Sequence, residues 1–121
     1  MLSISKAYRY YIYRNPADMR NSFDGLCGLV TNEFLQNPLS GDVFVFLNKR
    51  KNQIKLLNWQ GDGFVIFYKR LEKGTYELPA INTDSVSYEI SSQQLLLINE
   101  GIRLSSVKKR MRYQRIIVSK Y

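Results

Sequence analysis

Three groups of cations are the side chains of this sequence whose types and spacing could do chemistry. Lys49-Arg50-Lys51 forms one cluster, Lys69, Arg70 and Lys73 a second, and Lys108, Lys109, Arg110, Arg112 and Arg115 a third. Lys55 and Trp59 lie between the first two, and Arg20 stands upstream. Clustered ammonium and guanidinium groups neutralise phosphates and release the counterions condensed on a nucleic acid, so the chemistry indicated is the gripping of a phosphate backbone. Trp59 shares a strand face with Lys55 if that strand is regular. It then either stacks on a base or anchors a core. Arg20 also reads two ways: as a helix-surface partner of Asp24 one turn away, worth only about 0.2–0.5 kcal/mol, or as a further cation facing the same partner as the basic turns.

Bond-breaking chemistry is far less well supplied. The chain has no histidine, which removes imidazole acid–base catalysis, histidine triads and histidine metal sites. Cys27 is the sole cysteine, so neither an intramolecular disulfide nor a cysteine-rich zinc site can form. Asp18, Asp24, Asp42, Asp62 and Glu72 show no spacing typical of a two-metal nuclease. Gly61-Asp62-Gly63 lacks the lysine and hydroxyl of a phosphate-binding loop and reads as a hairpin turn with glycine supplying positive φ. No catalytic residue, metal ligand or cofactor is assigned.

The charge is unevenly placed. Of a net +8 over 121 residues, positions 1–102 carry 11 basic against 10 acidic residues, while 103–121 carry 7 basic residues and no acid. A basic tail on a near-neutral body implies a polyanionic partner, nucleic acid before an anionic membrane surface, with solvation alone as the bland alternative. The first residues lack the apolar core of a signal peptide, and no apolar run reaches the roughly 18 residues of a membrane span. The expectation is a soluble, cytoplasmic protein without membrane contact.

The elements that must position these cations follow from the pattern. Ala7–Arg14, rich in tyrosine, reads as a first strand. Asn15-Pro16 predicts the start of a long helix running to about Leu35, with Met19, Phe23, Leu26, Val30 and Phe34 on its inner face. Gly25 and Gly28 within it imply close approach to another backbone, or a break. Val43–Leu47, Ile54–Trp59 and Phe64–Leu71 predict a meander, and Thr75–Leu78 a further short strand, with an extended piece near Val86–Tyr88. Ser91 and Gln94 have the spacing of a capping box before Leu95–Ile98, with Gly101 at the stop. Beyond Leu104 the chain reads either as a helix bearing Leu104, Val107 and Met111 or as a strand over Tyr113–Val118. The whole predicts an α+β fold: an antiparallel sheet of about five strands, one long helix on a face, a short C-terminal helix, and a basic tail. Residues 1–104 form the single domain and 105–121 the tail.

An ordered series of motifs from about Tyr8 to Ile102 resembles a known family. The series is Asp18-Met19-Arg20 with Phe23-Asp24-Gly25-Leu26; Pro38 with Ser40-Gly41 before Val43-Phe44-Val45-Phe46; Ile54-Lys55-Leu56-Leu57 with Trp59 and Asp62-Gly63; Tyr68-Lys69-Arg70-Leu71-Glu72-Lys73-Gly74; and Leu96-Leu97 with Glu100-Gly101-Ile102. It is similar to the small accessory proteins of the IS-sixty-six class of bacterial insertion sequences, called Orf2-like or TnpB in that class and unrelated to the RNA-guided nuclease sharing the second name. Ala17, Asn21-Ser22 and Gln60 depart from the family pattern, and the tail lies outside it. The resemblance implies a protein encoded beside a transposase and supporting transposition by binding element DNA, such as the element ends, or the transposase itself. A non-enzymatic DNA-binding accessory factor is the first expectation, and a module docking on the transposase without touching DNA the second. A small nuclease using Asp18, Asp24 and Asp62 is the third.

Overall fold

Val43-Phe44-Val45-Phe46-Leu47 is buried at every position, which an amphipathic strand with one solvated face would not be. The computed structural model, which describes residues 4–79 and 84–99, shows why: this strand is central in a sheet covered on both faces. The elements are β1 (Tyr10–Tyr13), α1 (Phe23–Asn32), β2 (Val43–Leu47), β3 (Gln53–Trp59), β4 (Phe64–Arg70), β5 (Ser87–Ile90) and α2 (Ser92–Asn99). The strands lie in the order β4-β3-β2-β1-β5. Leu26, Val30 and Phe34 from α1 and the residues after it pack with Phe44, Phe46 and Leu57 on one face. On the other face, Leu95 and Ile98 of α2 and Tyr76 pack with Val43, Val45, Ile54 and Leu56.

The α+β expectation stands in its coarse form: five strands and two helices. Its finer parts need correction. The sheet is mixed, because β1 pairs with β2 in parallel (Tyr10↔Val43, Ile12↔Val45) while its other pairings are antiparallel. Parallel neighbours need a crossover connection, and α1 supplies it. That helix is short rather than long. It begins at Phe23 instead of near Pro16 because residues 17–21 are claimed by other bonds: the Ala17 amide donates to Leu47 O at 2.8 Å and the Asn21 amide to Asp18 O at 3.1 Å. Leu35, at φ 56, lies just beyond its end. A Cβ on Gly25 would sit 2.3 Å from the Asn21 side-chain oxygen, and nothing crowds Gly28, so the close approach is to a side chain and not to another backbone.

Thr75–Leu78 is not a strand. The Tyr76 amide donates to Lys51 O at 2.7 Å and its ring is buried beneath the sheet, so this stretch serves as a lid on the core. The fifth strand is β5, which pairs Tyr10↔Ile90 through Tyr13↔Ser87. The turn reading of Gly61-Asp62-Gly63 holds: Gly61 has φ 92, and the Gln60 amide donates to Gly63 O at 2.9 Å. So does the capping box, with the Ser91 amide donating to Gln94 Oε1 (2.9 Å) and the Gln94 amide to Ser91 Oγ (3.0 Å). Among the described residues no helix is long and apolar enough to cross a membrane. The readings of Gly101 and of the tail from Leu104 lie outside the described residues.

Candidate nucleic-acid interface

Strand direction decides where the cations meet. Antiparallel pairing puts the β2–β3 turn and the end of β4 at the same end of the sheet, so the two basic clusters come together there and not at opposite ends of the meander. Asn48 shapes the first cluster. Its Oδ1 accepts the amides of Asn52 (3.0 Å) and Gln53 (2.9 Å), and its Nδ2 donates to Asn52 Oδ1 at 2.6 Å, which leaves Lys49, Arg50 and Lys51 projecting from the turn. All three are exposed, and Lys51 occupies the left-handed region at φ 57. The second cluster is tied to the first through the backbone, the Leu71 amide donating to Asn52 O and the Tyr76 amide to Lys51 O, both at 2.7 Å. Arg70 and Lys73 are exposed, and Arg70 pairs with Glu72 at 3.1 Å.

The segment between β1 and α1 adds Arg20 to this end, because the Ala17 amide is bonded to Leu47 at the end of β2. Arg20 does not pair with Asp24. Its guanidinium donates to the Asp18 carboxylate, Nη2 at 2.6 Å and Nε at 3.0 Å and 3.1 Å, and its backbone amide donates to Asp18 Oδ1 at 2.8 Å. The side-chain and backbone hydrogen bonds from Arg20 hold the Asp18 carboxyl down at about 2, against an ordinary 3.8. A depressed carboxylate pKa contributes stability that is present above the unfolded value and lost as pH falls through the folded one, so the Asp18–Arg20 turn is expected to persist to pH 4 and open as pH approaches 2. Carboxyl-carbon NMR titration checks this: Arg20→Ala should return Asp18 towards 3.8, and an unmoved midpoint would assign the shift elsewhere.

Three predicted contacts are placed differently. Lys55 is buried, 7% exposed, and its ammonium donates to Met19 O at 2.8 Å and Asn21 O at 2.7 Å. It is a positioning residue that fastens the Arg20 segment to the sheet, since no phosphate reaches a lysine buried under that loop. Trp59 sits at the other end of β3, about 20 Å from Gln53 at the usual strand rise. There its ring meets Phe64 edge-on with centroids 5.0 Å apart. Lys69 points to the opposite face from Arg70, is half-buried, and is engaged within the fold. Lys108, Lys109, Arg110, Arg112 and Arg115 lie outside the described residues.

Sequence reasoning missed Tyr68. It is 51% exposed and lies opposite Lys55 in the β3–β4 ladder, with the Lys55 ammonium 4.6 Å from its ring centroid. Its hydroxyl bonds to Gln53 Oε1. Strand alternation could have found it, since Tyr68 and Arg70 share a face. Between these elements lies an open cleft of about 540 Å³ lined by Asp18, Arg20, Lys49, Arg50, Gln53 and Tyr68, among others. Asp62 occupies the β3–β4 turn at the far end from Asp18, so the acids of the nuclease hypothesis do not converge. No cluster of three metal-ligating side chains occurs among the described residues.

Comparison with known proteins adds a family. A family model described as "IS66 Orf2 like protein" matches residues 8–109. The chain is 29% identical over 110 residues to the uncharacterized protein y4jC of Sinorhizobium fredii, covering 91% of this chain and 92% of that one. It is 31% identical over 102 residues to the uncharacterized protein y4hO of the same organism, covering 84% and 87%. No solved structure is significantly similar.

Proposed function

The chain belongs to the IS66 Orf2-like family, and from that premise we propose that it is an accessory factor of insertion-sequence transposition that binds DNA through the basic end of its sheet. The observation that carries the reading is the convergence of Arg20, Lys49, Arg50, Lys51, Arg70 and Lys73, drawn from three separate segments onto one end. Asp18 and Glu72 offset Arg20 and Arg70. Lys49, Arg50, Lys51 and Lys73 have no ion-pair partner among the described residues, which leaves four cations for phosphates. The tail cations would add to them, and the element's ends are the natural DNA.

Four neutralised phosphates give log K against log salt a slope of about −3.6 on duplex DNA. The test is a fluorescence titration of duplex at several salt concentrations with the full chain, a chain ending at Leu104, and a Lys49→Ala/Arg50→Ala/Lys51→Asn/Lys73→Ala variant. Asparagine is chosen at Lys51 because it tolerates the left-handed backbone there. The four substitutions are expected to flatten the slope by about 3.6, and an unchanged slope would remove the sheet end from the reading.

A second reading, docking on the transposase encoded by the same element, draws on one feature. β4 is an edge strand along which Phe64, Val65, Ile66 and Phe67 are each partly exposed, the sort of edge to which another chain can add a strand. Absence of DNA binding at low salt, with co-purification of the transposase after nuclease treatment, would favour it.

A further inference from the structure

We infer that the cleft between Arg20, Lys49, Arg50 and Tyr68 takes an unpaired nucleotide, its base stacked on Tyr68 and its phosphate held by Lys49 and Arg50. The inference deepens the DNA-binding reading and rests on it. Tyr68 is half exposed, more than the four apolar residues before it in β4, and lines the cleft. It is also held still. Lys55, itself absent from the cleft lining, sits over the ring at 4.6 Å, and the hydroxyl is bonded to Gln53. A fixed aromatic ring with an accessible face beside cations is how proteins hold single-stranded nucleic acid, because every base offers a π-face and every nucleotide a phosphate.

The remaining lining fits the same occupant. The Gln53 side-chain amide keeps its N–H donors for the acceptors of a base, its oxygen being taken by the Tyr68 hydroxyl. A volume of about 540 Å³ falls within the roughly 300–1,000 Å³ of small-ligand sites. A base still stacked in a duplex offers no free face to the Tyr68 ring. Duplex would be gripped by the outer cations alone, and a strand end, mismatch or melted junction would be gripped more tightly.

The experiment uses the full chain with fluorescein-labelled oligonucleotides of one length, single-stranded and fully paired, titrated against wild type, Tyr68→Phe and Tyr68→Leu. Tyr68→Leu should weaken single-strand binding by roughly tenfold and leave duplex affinity unchanged, while Tyr68→Phe retains the single-strand preference. In parallel, 2-aminopurine placed in the single strand should be quenched on saturation with the wild-type protein and not in the paired duplex, a readout that needs no variant to fold. Equal affinity for both forms with no effect of Tyr68→Leu and no quenching overturns the cleft assignment and leaves the duplex-binding reading intact. No binding of either form by wild type overturns both.

Discussion

Replacing Phe44 by alanine is expected to lower the free energy of unfolding by about 3–5 kcal/mol. Phe44 is fully buried between strands whose spacing is set by backbone pairing, opposite Tyr11 in β1 and Leu57 in β3. Its ring stacks on Tyr11 with centroids 6.1 Å apart and meets Phe34 edge-on at 5.3 Å. Two neighbouring strands fix the width of the gap and Phe34 roofs it, so little can collapse into the cavity. Because single domains carry only about 5–15 kcal/mol in all, most of the margin would go. Denaturant titration should show a lower midpoint at an unchanged slope, and a loss below about 1 kcal/mol would mean that the aromatic cluster around α1 is loosely packed.

Lys55→Met comes next, with an expected loss of about 2–3 kcal/mol. Methionine keeps the stem of the side chain and its packing but removes the donors that serve the Met19 and Asn21 carbonyls. The effect should be regional as well as global. Amides of residues 17–22 should exchange faster in the variant than those of β2, because the loop before α1 would be held mainly by the Ala17–Leu47 bond. Denaturant titration and native-state hydrogen exchange measure the two parts separately. A neutral outcome would show that the cost of burying the ammonium cancels its two hydrogen bonds, and the Arg20 loop would then be held by other contacts.

What could be read from sequence was local. The meander was legible because alternating apolar runs were separated by Asn-rich and Gly-rich turns. The capping box at Ser91 and the inner face of α1 at Leu26 and Val30 each follow from spacing within a single helix. The start of α1 was not legible, since Asn15-Pro16 is a sound local signal that loses to bonds made with β2 and β3. The burial of Lys55 was likewise hidden, because its two acceptors lie 36 and 34 residues away. The meeting of the basic turns required strand direction, which also carried Trp59 to the far end. Tyr68, on a strand that was correctly expected, lacked only a neighbour to mark it out.

The position of β1 has a kinetic consequence. It lies between β2 and β5, with Tyr10 paired to Val43 on one side and to Ile90 on the other, whereas β2, β3 and β4 follow one another through tight turns. Contacts between near neighbours form fast, and those that close long loops form slowly, so the three-strand meander is the natural nucleus and β1 joins it from outside. Of the described strands, β1 is made before the others and has no complete place to dock until β5 has followed it. Through that interval its tyrosine-rich edge stays open to any strand that meets it.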